Sequence, residues 1–413
     1  MTAMILTLLV LSVGSRPALP SADEGALAAQ LGPEIAISEL PGNEYGPAIA
    51  YNTNHDEYLV VWHDADDVIH ARRVSPSGQV WGSFAVASNA YGKRQPSVAY
   101  DPARDRYLVT WIYDYWGNGT DFDIYGRFVP WDGPSASFTD FSICGWTNHQ
   151  WRPAVAFART QDEYLVVWMN DGASPGVASY ISGRRVWADG SGFPVSPFLI
   201  SSGPEDRDFP DVAHNLARNE YLVAWDANIG GGNIYGMRLS GTGTPLGGGE
   251  FAIAGWPSNE GRPSVAACHG ADQYLVAWES DQETGGSDWA IYGRYVSGGG
   301  VPGYVSMVDD TTAPELAVDV SCDAGGWQYL LAWQTMYASA WYGVWGRIAY
   351  PDETMEPQFG IVQPGPSHHR TEPAVGGGGG HFLTAWEHEA GFVVDRDIHG
   401  RLVFPDLIFR DGF

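Results

Sequence analysis

The stretch EYLVVW, Glu57–Trp62, decides the fold because close copies of it return six more times along the chain. Each copy ends in a tryptophan, and these tryptophans are Trp111, Trp168, Trp225, Trp278, Trp333 and Trp386. Successive tryptophans are 49 to 57 residues apart. A sustained period of this length indicates a repeat architecture rather than several unrelated domains.

Each copy belongs to a longer unit of four short apolar segments. A proline-led segment precedes it, as in PAIAY from Pro47, and we align PELAV from Pro314 with this segment in the sixth copy. An IYGR-like segment follows, as at Ile124, and then a fourth segment such as FSICG from Phe141. All four alternate like β-strands. Four strands in about 50 residues form one blade of a β-propeller.

The seventh copy has no fourth segment, but EIAIS at Glu34–Ser38 matches the missing pattern. We therefore predict an all-β fold: a seven-bladed β-propeller of four-stranded antiparallel blades. The N-terminal strand would complete the last blade and close the ring, which hides edges that could otherwise pair with other chains. The predicted propeller covers residues 34–413, and residues 23–33 form a linker.

The N-terminal segment contains an apolar run, Met4–Val13, that is too short for a membrane span of about 20 residues. Small residues follow it, as in a secretory signal peptide, although no Lys or Arg precedes it. We predict a signal peptide within residues 1–22, no membrane insertion once it is removed, and a secreted or cell-surface location.

The repeated sequence motifs YLVxW and DIYGRxV resemble those of bacterial secreted and cell-surface propeller proteins. The resemblance covers residues 34–404 and all seven copies, with departures at His70–Ala71 and Val344–Trp345. It implies a propeller in an extracellular setting. It transfers no catalytic residue, because no shared activity is known for the group.

The composition restricts the partners. The 413 residues include 22 Lys and Arg against 49 Asp and Glu, a net charge of −27. Nucleic acid and anionic membrane surfaces are unfavourable partners, because both require a basic footprint.

The three cysteines are too few for a disulfide framework. Cys268 and Cys322 occupy similar places in successive repeats, so a disulfide between them and two separate buried thiols both remain open.

Five arginines lie within three residues of the proline that begins a blade, in the loops nearest the propeller axis. They are Arg94, Arg152, Arg207, Arg262 and Arg370. Together they could bind an anionic or polar ligand on one face of the ring. The alternative is that each arginine pairs with a nearby acid. The arginine of the IYGR segment is different, because copies spread around a ring cannot serve one site, and we expect it to be structural.

Aromatic residues outside the repeat gather in loops on the same face. Trp116, Trp151 and Trp256 are the candidates for stacking on a sugar or a peptide, and packing within their own loops is the alternative. The acids of the outer loops could in principle hold Ca²⁺, but none has EF-hand spacing. We therefore predict neither a metal site nor a cofactor.

Three functional classes fit these observations. The first is a non-catalytic binding or scaffold module for a glycan or an extracellular protein. The second is a polysaccharide hydrolase or lyase, and the third is a subunit of a surface layer or filament. A hydrolase needs two carboxylates about 5–10 Å apart. The acids nearest the axis are Asp208, Asp211, Glu260, Glu315 and Glu372. The sequence does not pair them, so we predict no catalytic residue and favour the binding module.

Overall fold

The computed structural model of the chain is an all-β ring. It describes residues 29–405 apart from 89–90, 118, 120, 173–176, 229–231, 257, 282–288, 310, 312, 338–340, 365–367 and 391–394. These residues form seven four-stranded antiparallel sheets, which confirms the predicted seven-bladed propeller. The predicted signal peptide within residues 1–22 lies outside the described residues. Among the described residues, no helix is long and apolar enough to cross a membrane.

The blades follow one another along the chain, and the first strand of each blade lies nearest the axis. Blades 1 to 3 are formed by β2 (Glu44–Asn52), β3 (Glu57–Asp64), β4 (Ile69–Val74) and β5 (Phe84–Ala87); β6 (Lys93–Asp101), β7 (Arg106–Asp114), β8 (Phe122–Pro130) and β9 (Phe141–Cys144); β10 (Gln150–Ala158), β11 (Glu163–Asn170), β12 (Tyr180–Trp187) and β13 (Phe198–Ser201). Blades 4 and 5 are formed by β14 (Arg207–Asn215), β15 (Glu220–Ala227), β16 (Asn233–Ser240) and β17 (Phe251–Ala252); β18 (Glu260–Cys268), β19 (Gln273–Ser280), β20 (Ala290–Ser297) and β21 (Pro302–Asp309). Blades 6 and 7 are formed by β22 (Glu315–Cys322), β23 (Tyr329–Tyr337), β24 (Trp341–Ala349) and β25 (Phe359–Val362); β26 (His368–Gly377), β27 (Phe382–Ala390), β28 (Arg396–Phe404) and β1 (Gln30–Ser38).

Blade 7 is completed by the N-terminal strand, as the sequence predicts. β1 pairs antiparallel with β28 and is the outermost strand of that sheet. It begins at Gln30, so it is longer than the repeat segment Glu34–Ser38. Ile35 and Ile37 of β1 are buried against Tyr58 and Trp62 of blade 1. We call this junction of blade 7 with blade 1 the seam. It joins the two ends of the ring through both backbone pairing and side-chain packing.

The seven repeat tryptophans form the core between neighbouring blades. All seven are fully buried, and most of the tyrosines of the same motif are buried with them. The apolar clusters combine residues of adjacent blades, because each sheet packs both of its faces on neighbours. Large aromatic rings fill this inter-sheet space with few side chains.

The arginine of the IYGR segment links neighbouring blades. In blade 2, the Arg127 guanidinium donates to the carbonyl of Val86 in blade 1, and Arg184 donates in the same way to Ile143. Across the seam, Arg72 donates to the carbonyl of Ile37 at 2.6 Å. Arg294, Arg347 and Arg401 form the equivalent bonds. The arginine is thus structural, since it satisfies a strand carbonyl of the preceding blade.

Blade 4 departs from this pattern. Met237 stands where the other blades have the linking arginine, because it pairs with Val223 as Arg294 pairs with Val276. Arg238 is one residue later and bonds to Glu220 instead. The arginine of the IYGMR segment in blade 4, Arg238, is therefore not equivalent to the linking arginines, although the sequence pattern predicts that it is.

The inner strands of blades 5 and 6 are covalently joined. Cys268 of β18 and Cys322 of β22 form a disulfide with a Cα–Cα distance of 5.5 Å. This settles the alternatives left open by the sequence in favour of the bridge. Cys144 is a free, buried cysteine, and burial raises the pKa of its thiol to about 12.

We expect removal of β1 to destabilise the whole ring. A chain that begins at Glu39 loses the β28 ladder and two buried isoleucines, each worth about 2–5 kcal/mol. Its thermal unfolding should occur at a clearly lower temperature than that of a matched chain beginning at Ala29, which retains all of β1. Equal melting temperatures for the two chains would contradict closure by β1.

We expect loss of the disulfide to lower stability without changing the fold. Replacing Cys268 and Cys322 by Ser should lower the free energy of unfolding by about 4 kcal/mol, through the extra entropy of the unfolded chain. Urea unfolding with and without reductant measures this effect. The wild-type protein should lose stability on reduction, whereas the free energy of unfolding of the double variant should be the same with and without reductant.

Candidate functional site: the axial crown

Every innermost strand has a β-bulge at the same place near its start. The register of all seven inner pairs shifts there, as between Tyr45 and Ala48 in blade 1. The residue at each bulge has a positive φ, between 48° and 58°. We call these seven residues the axial crown: Gly46, Gln95, Arg152, Phe209, Arg262, Ala317 and Glu372. Bulges aim side chains, and here they aim them at the mouth of the central channel.

The position of the bulge in blade 6 differs from the one that our alignment of Pro314 predicts. In the other blades the residue after the bulge is a proline, but in blade 6 it is Val318 rather than Pro314. Val318 precedes Trp333 by the same 15 residues that separate Pro47 from Trp62. The alignment of Pro314 is therefore wrong, because a proline outside the strand was taken for the missing one.

A left-handed conformation at a residue other than glycine costs about 1–3 kcal/mol and tends to occur at functional sites. Five of these residues also precede a proline, which normally favours an extended backbone. Side chains from neighbouring blades satisfy the bulge amides. Asp226 accepts from the Arg262 amide at 3.3 Å, and Glu279 accepts from the Ala317 amide at 3.0 Å.

The same arrangement recurs around the crown. Gln334 accepts from the Glu372 amide and Glu387 accepts from the Gly46 amide, each at 2.9 Å. These four acceptors all follow directly after a repeat tryptophan. Blades 4 to 7 therefore each position the crown residue of the next blade, whereas the Arg152 amide donates to Gln95, the crown residue of the preceding blade, at 2.9 Å.

The channel mouth opens into a cavity of about 450 Å³ that the crown and the residues below it line. Three adjacent crown residues form a stack at this mouth. The Arg152 guanidinium lies 3.5 Å from the centre of the Phe209 ring, and that of Arg262 lies 5.1 Å from it. Such cation–π contacts hold the guanidinium groups in place.

The two arginines differ in their partners. Arg262 lies near two carboxylates, Glu372 at 3.4 Å and Glu279 at 3.7 Å. The Arg152 guanidinium has no hydrogen bond or ion pair with any described residue, and Phe209 is its contact. Burial and the charge of Arg262 lower the pKa of Arg152. Its N–H donors are therefore available to a ligand in the cavity.

Acidic groups surround the stack. Asp208 and Asp226 stand opposite each other on β14 and β15. Burial, and then the neighbouring charge of Asp208, raise the pKa of Asp226 to about 7. Burial also raises the pKa of Asp208, whose carboxylate accepts from Ser179 at 2.9 Å. Both carboxylates can accept hydrogen bonds, and Asp226 can also exchange a proton near neutral pH.

Below the crown, carboxylates bridge the inner strands. Asp211 accepts from the Val265 amide and Asp319 from the Val375 amide, each at 2.7 Å. Asp319 also accepts from the Ser264 hydroxyl at 2.7 Å. Burial raises the pKa of Asp211 to about 7. Because these groups satisfy inner-edge amides, they serve the ring as well as line the cavity.

The five predicted arginines do not form one ring. Arg152 and Arg262 lie in the crown, but Arg94 is exposed and pairs with Asp67 at 2.7 Å. Arg207 is buried and bonds to the Ser201 hydroxyl at 2.6 Å. Arg370 is buried as well. The arginines occupy three different positions relative to the bulge, so only two of them reach the axis.

The three predicted tryptophans also lie apart from the crown cavity. Trp116 is exposed in the β7–β8 loop, and Trp256 packs on Trp278 and Tyr292. Trp151 packs on Phe122, and it lines a separate cavity of about 510 Å³ together with Arg94. The structure thus groups two of the eight predicted ligand residues in the crown and two in this second cavity.

The acidic residues considered for catalysis do not all lie at the crown cavity. Glu372 and Asp211 line the crown cavity, whereas Glu260 and Glu315 are buried outside its lining. Sequence analysis missed Phe209, Asp226 and Glu279. The signals were present but unused: Phe209 precedes the blade proline, and Asp226 and Glu279 follow directly after the repeat tryptophan.

Comparisons with known proteins support the fold. No family model and no curated protein matches the chain. Among solved structures, a protein of unknown function from Dyadobacter fermentans is similar, with a TM-score of 0.55, 9% identity, and coverage of 92% of this chain and 99% of that one. Polysaccharide lyase Uly1 gives a TM-score of 0.53 and 10% identity over 94% of each chain. The β-propeller domain of the Trilobed protease from Pyrococcus furiosus gives 0.51 and 9%, over 89% of this chain and 99% of that one. At these identities the likeness shows the fold alone.

We expect the protein to lose stability as the pH rises from 5 to 8. Burial raises the pKa of five carboxyl groups to about 7, against about 4 when unfolded. They are Glu44, Asp123, Asp211, Asp226 and Glu260. The folded protein then binds more protons between these values, so its free energy of unfolding falls as the pH rises. His63, His214 and His388, whose pKa values are lowered by burial, oppose this effect but are fewer.

Thermal unfolding at fixed ionic strength measures this dependence. The melting temperature should be higher at pH 5 than at pH 8, and Asp226→Asn should reduce the difference. A melting temperature that rises over this interval would show that the carboxyl groups are not buried as described.

Proposed function

We propose that the protein is an extracellular, non-catalytic binding propeller whose axial crown takes a glycan residue that carries a carboxylate. The observation that carries this proposal is Arg152, which is held over Phe209 and whose guanidinium has no hydrogen-bond partner among the described residues. A partly desolvated guanidinium without a partner favours a carboxylate, which it can bind through two parallel hydrogen bonds.

The acids around Arg152 support a sugar rather than a highly charged anion. Asp226, Glu279 and Glu372 would repel a polyanion, but they can accept hydrogen bonds from hydroxyl groups. A sugar acid offers one carboxylate and several hydroxyls in a small volume. The cavity of about 450 Å³ is in the range of small-ligand sites.

The extracellular location is supported by two features. The Cys268–Cys322 disulfide is typical of proteins that mature in an oxidising compartment. The apolar run Met4–Val13 has the length of a signal-peptide core. The repeated sequence motifs are consistent with this assignment, since they resemble those of secreted propeller proteins.

Catalysis on a polysaccharide is the second candidate, and one observation favours it. Asp226 has a pKa of about 7 and stands opposite Asp208, so the pair could hold and transfer a proton near the crown. One of the similar structures is a polysaccharide lyase. Binding is preferred because Asp226 already accepts from the Arg262 amide, which gives this carboxylate a structural role.

We expect Arg152→Ala to weaken binding of uronic-acid oligosaccharides about 30-fold, because a charge-assisted hydrogen-bond pair contributes about 2 kcal/mol. Arg94→Ala is the matched control, since Arg94 is paired with Asp67 outside the crown. Calorimetric titration with uronic-acid oligosaccharides and their neutral counterparts gives the affinities. Melting temperatures show whether each variant remains folded.

Three results would overturn the proposal in different ways. Equal binding of acidic and neutral oligosaccharides would remove the role of the carboxylate. Unchanged binding by Arg152→Ala would move the site away from the crown. Release of shorter products, abolished by Asp226→Asn, would establish the catalytic alternative.

A further inference from the structure

A cluster of two histidines and one glutamate lies on blade 7, apart from the axial crown. It combines Glu34 of β1, His388 of β27 and His399 of β28. The Glu34 Oε1 atom lies 3.2 Å from His388 Nδ1 and 2.9 Å from His399 Nδ1, and the two Nδ1 atoms are 2.9 Å apart. His388 is buried, and the other two residues are half-buried.

Hydrogen bonding alone cannot satisfy this triangle of atoms. A neutral imidazole nitrogen is either a donor or an acceptor, and an ionised carboxylate oxygen is an acceptor. If both Nδ1 atoms carry protons, those protons face each other across 2.9 Å. If one does not, its lone pair faces the Glu34 oxygen. In each neutral arrangement at least one side of the triangle is repulsive.

A metal ion would make all three sides favourable. Imidazole nitrogen and carboxylate oxygen bind Zn²⁺ at about 2.0–2.2 Å, so adjacent ligand atoms stand about 2.9–3.4 Å apart, depending on coordination geometry. The observed separations of 2.9 to 3.2 Å fall in this range. Two imidazoles among three ligands favour zinc and related transition metals over Ca²⁺ or Mg²⁺, which take oxygen ligands.

Arg370 provides a second, independent observation beside this cluster. It stands opposite His388 across the β26–β27 pair, and its charge acts on both Glu34 and His388. Arg370 is 8% exposed, yet its Nε and Nη1 atoms have no hydrogen-bond partner among the described residues. A metal with three protein ligands keeps a further position for water or an anion. A hydroxide or another anion at that position would accept from these donors.

We propose that Glu34, His388 and His399 bind a divalent transition-metal ion, with Zn²⁺ the expected one, at the seam where β1 closes the ring. The three ligands come from three neighbouring strands of blade 7, and β1 is the strand that joins the two ends of the propeller. A bound ion therefore ties β1 to β27 and β28. Because the unfolded chain separates these ligands, binding stabilises the closed ring.

Blade 1 offers a matched control. His70 pairs with Trp62 across β3–β4 as His399 pairs with Trp386 across β27–β28. His70 also bonds to a carboxylate, Asp64, at 2.7 Å. No third ligand joins that pair among the described residues. Replacing His70 thus removes a histidine at the same place in a blade without touching the proposed site.

The experiment titrates Zn²⁺ into full-length protein that has been freed of metal with a chelator. We expect one Zn²⁺ per chain, and at least a tenfold loss of affinity in Glu34→Gln and in His399→Gln. His70→Gln should bind like the wild type. Zn²⁺ should raise the melting temperature of the wild type and of His70→Gln, and Ca²⁺ should not.

A spectroscopic measurement separates ligation from a structural effect. Co²⁺ bound in place of Zn²⁺ should give visible d–d absorption in the wild type, and this absorption should be lost in His399→Gln. Melting temperatures in chelator show that the variants are folded. Absence of stoichiometric Zn²⁺ binding, or equal affinity in His399→Gln, would overturn the proposal. A failure here leaves the crown unaffected, since the two sites share no residue.

Discussion

The pairing of β1 with β28 is the interaction on which the rest of the structure depends. The last blade meets the first through direct packing of β27 on β3, and β1 adds its ladder to β28 and the buried side chains of Ile35 and Ile37 to that junction. The hydrogen bond from Arg72 to the Ile37 carbonyl crosses the seam. It is equivalent to the arginine–carbonyl bond that joins other neighbouring blades, such as Arg127 with Val86. The seam is therefore built like any other junction between blades.

The geometry of the crown follows from this closure. Four of the bulge amides are satisfied by a side chain that follows the tryptophan of a neighbouring blade, as Asp226 does for Arg262, and the Arg152 amide donates to Gln95 of the neighbouring blade. In these blades the strain of the left-handed conformation is offset by a contact from outside the blade. The binding properties of the mouth are thus a property of the ring, and the positions of Arg152 and Arg262 depend on all the junctions between them.

The sequence predicted the fold well because the repeat places one large aromatic residue at each junction, and seven equivalent tryptophans leave few alternatives. It predicted the site poorly for two physical reasons. Proximity to a proline does not tell on which side of a bulge a residue lies, so Arg207 and Arg370 were grouped with Arg152 although they point into the blades. The blade 6 error arose because Val318 fills a place that proline fills elsewhere. Contacts between distant segments, such as Glu34 with His399, have no local signal at all.

The seam has a consequence for how the molecule reaches its folded state. Glu34 and Arg401 are partners in the same ladder, so the first strand to be synthesised must wait for the last one. Contacts of such sequence separation form late, because a very long loop must be closed before they contribute. Blades 1 to 6 can assemble from local hairpins in the meantime, while Ile35 and Ile37 have only the blade 1 side of their final packing surface. The slow step of folding should therefore be the docking of β1, and its rate should respond to changes in blade 7 far more than to changes in blade 3.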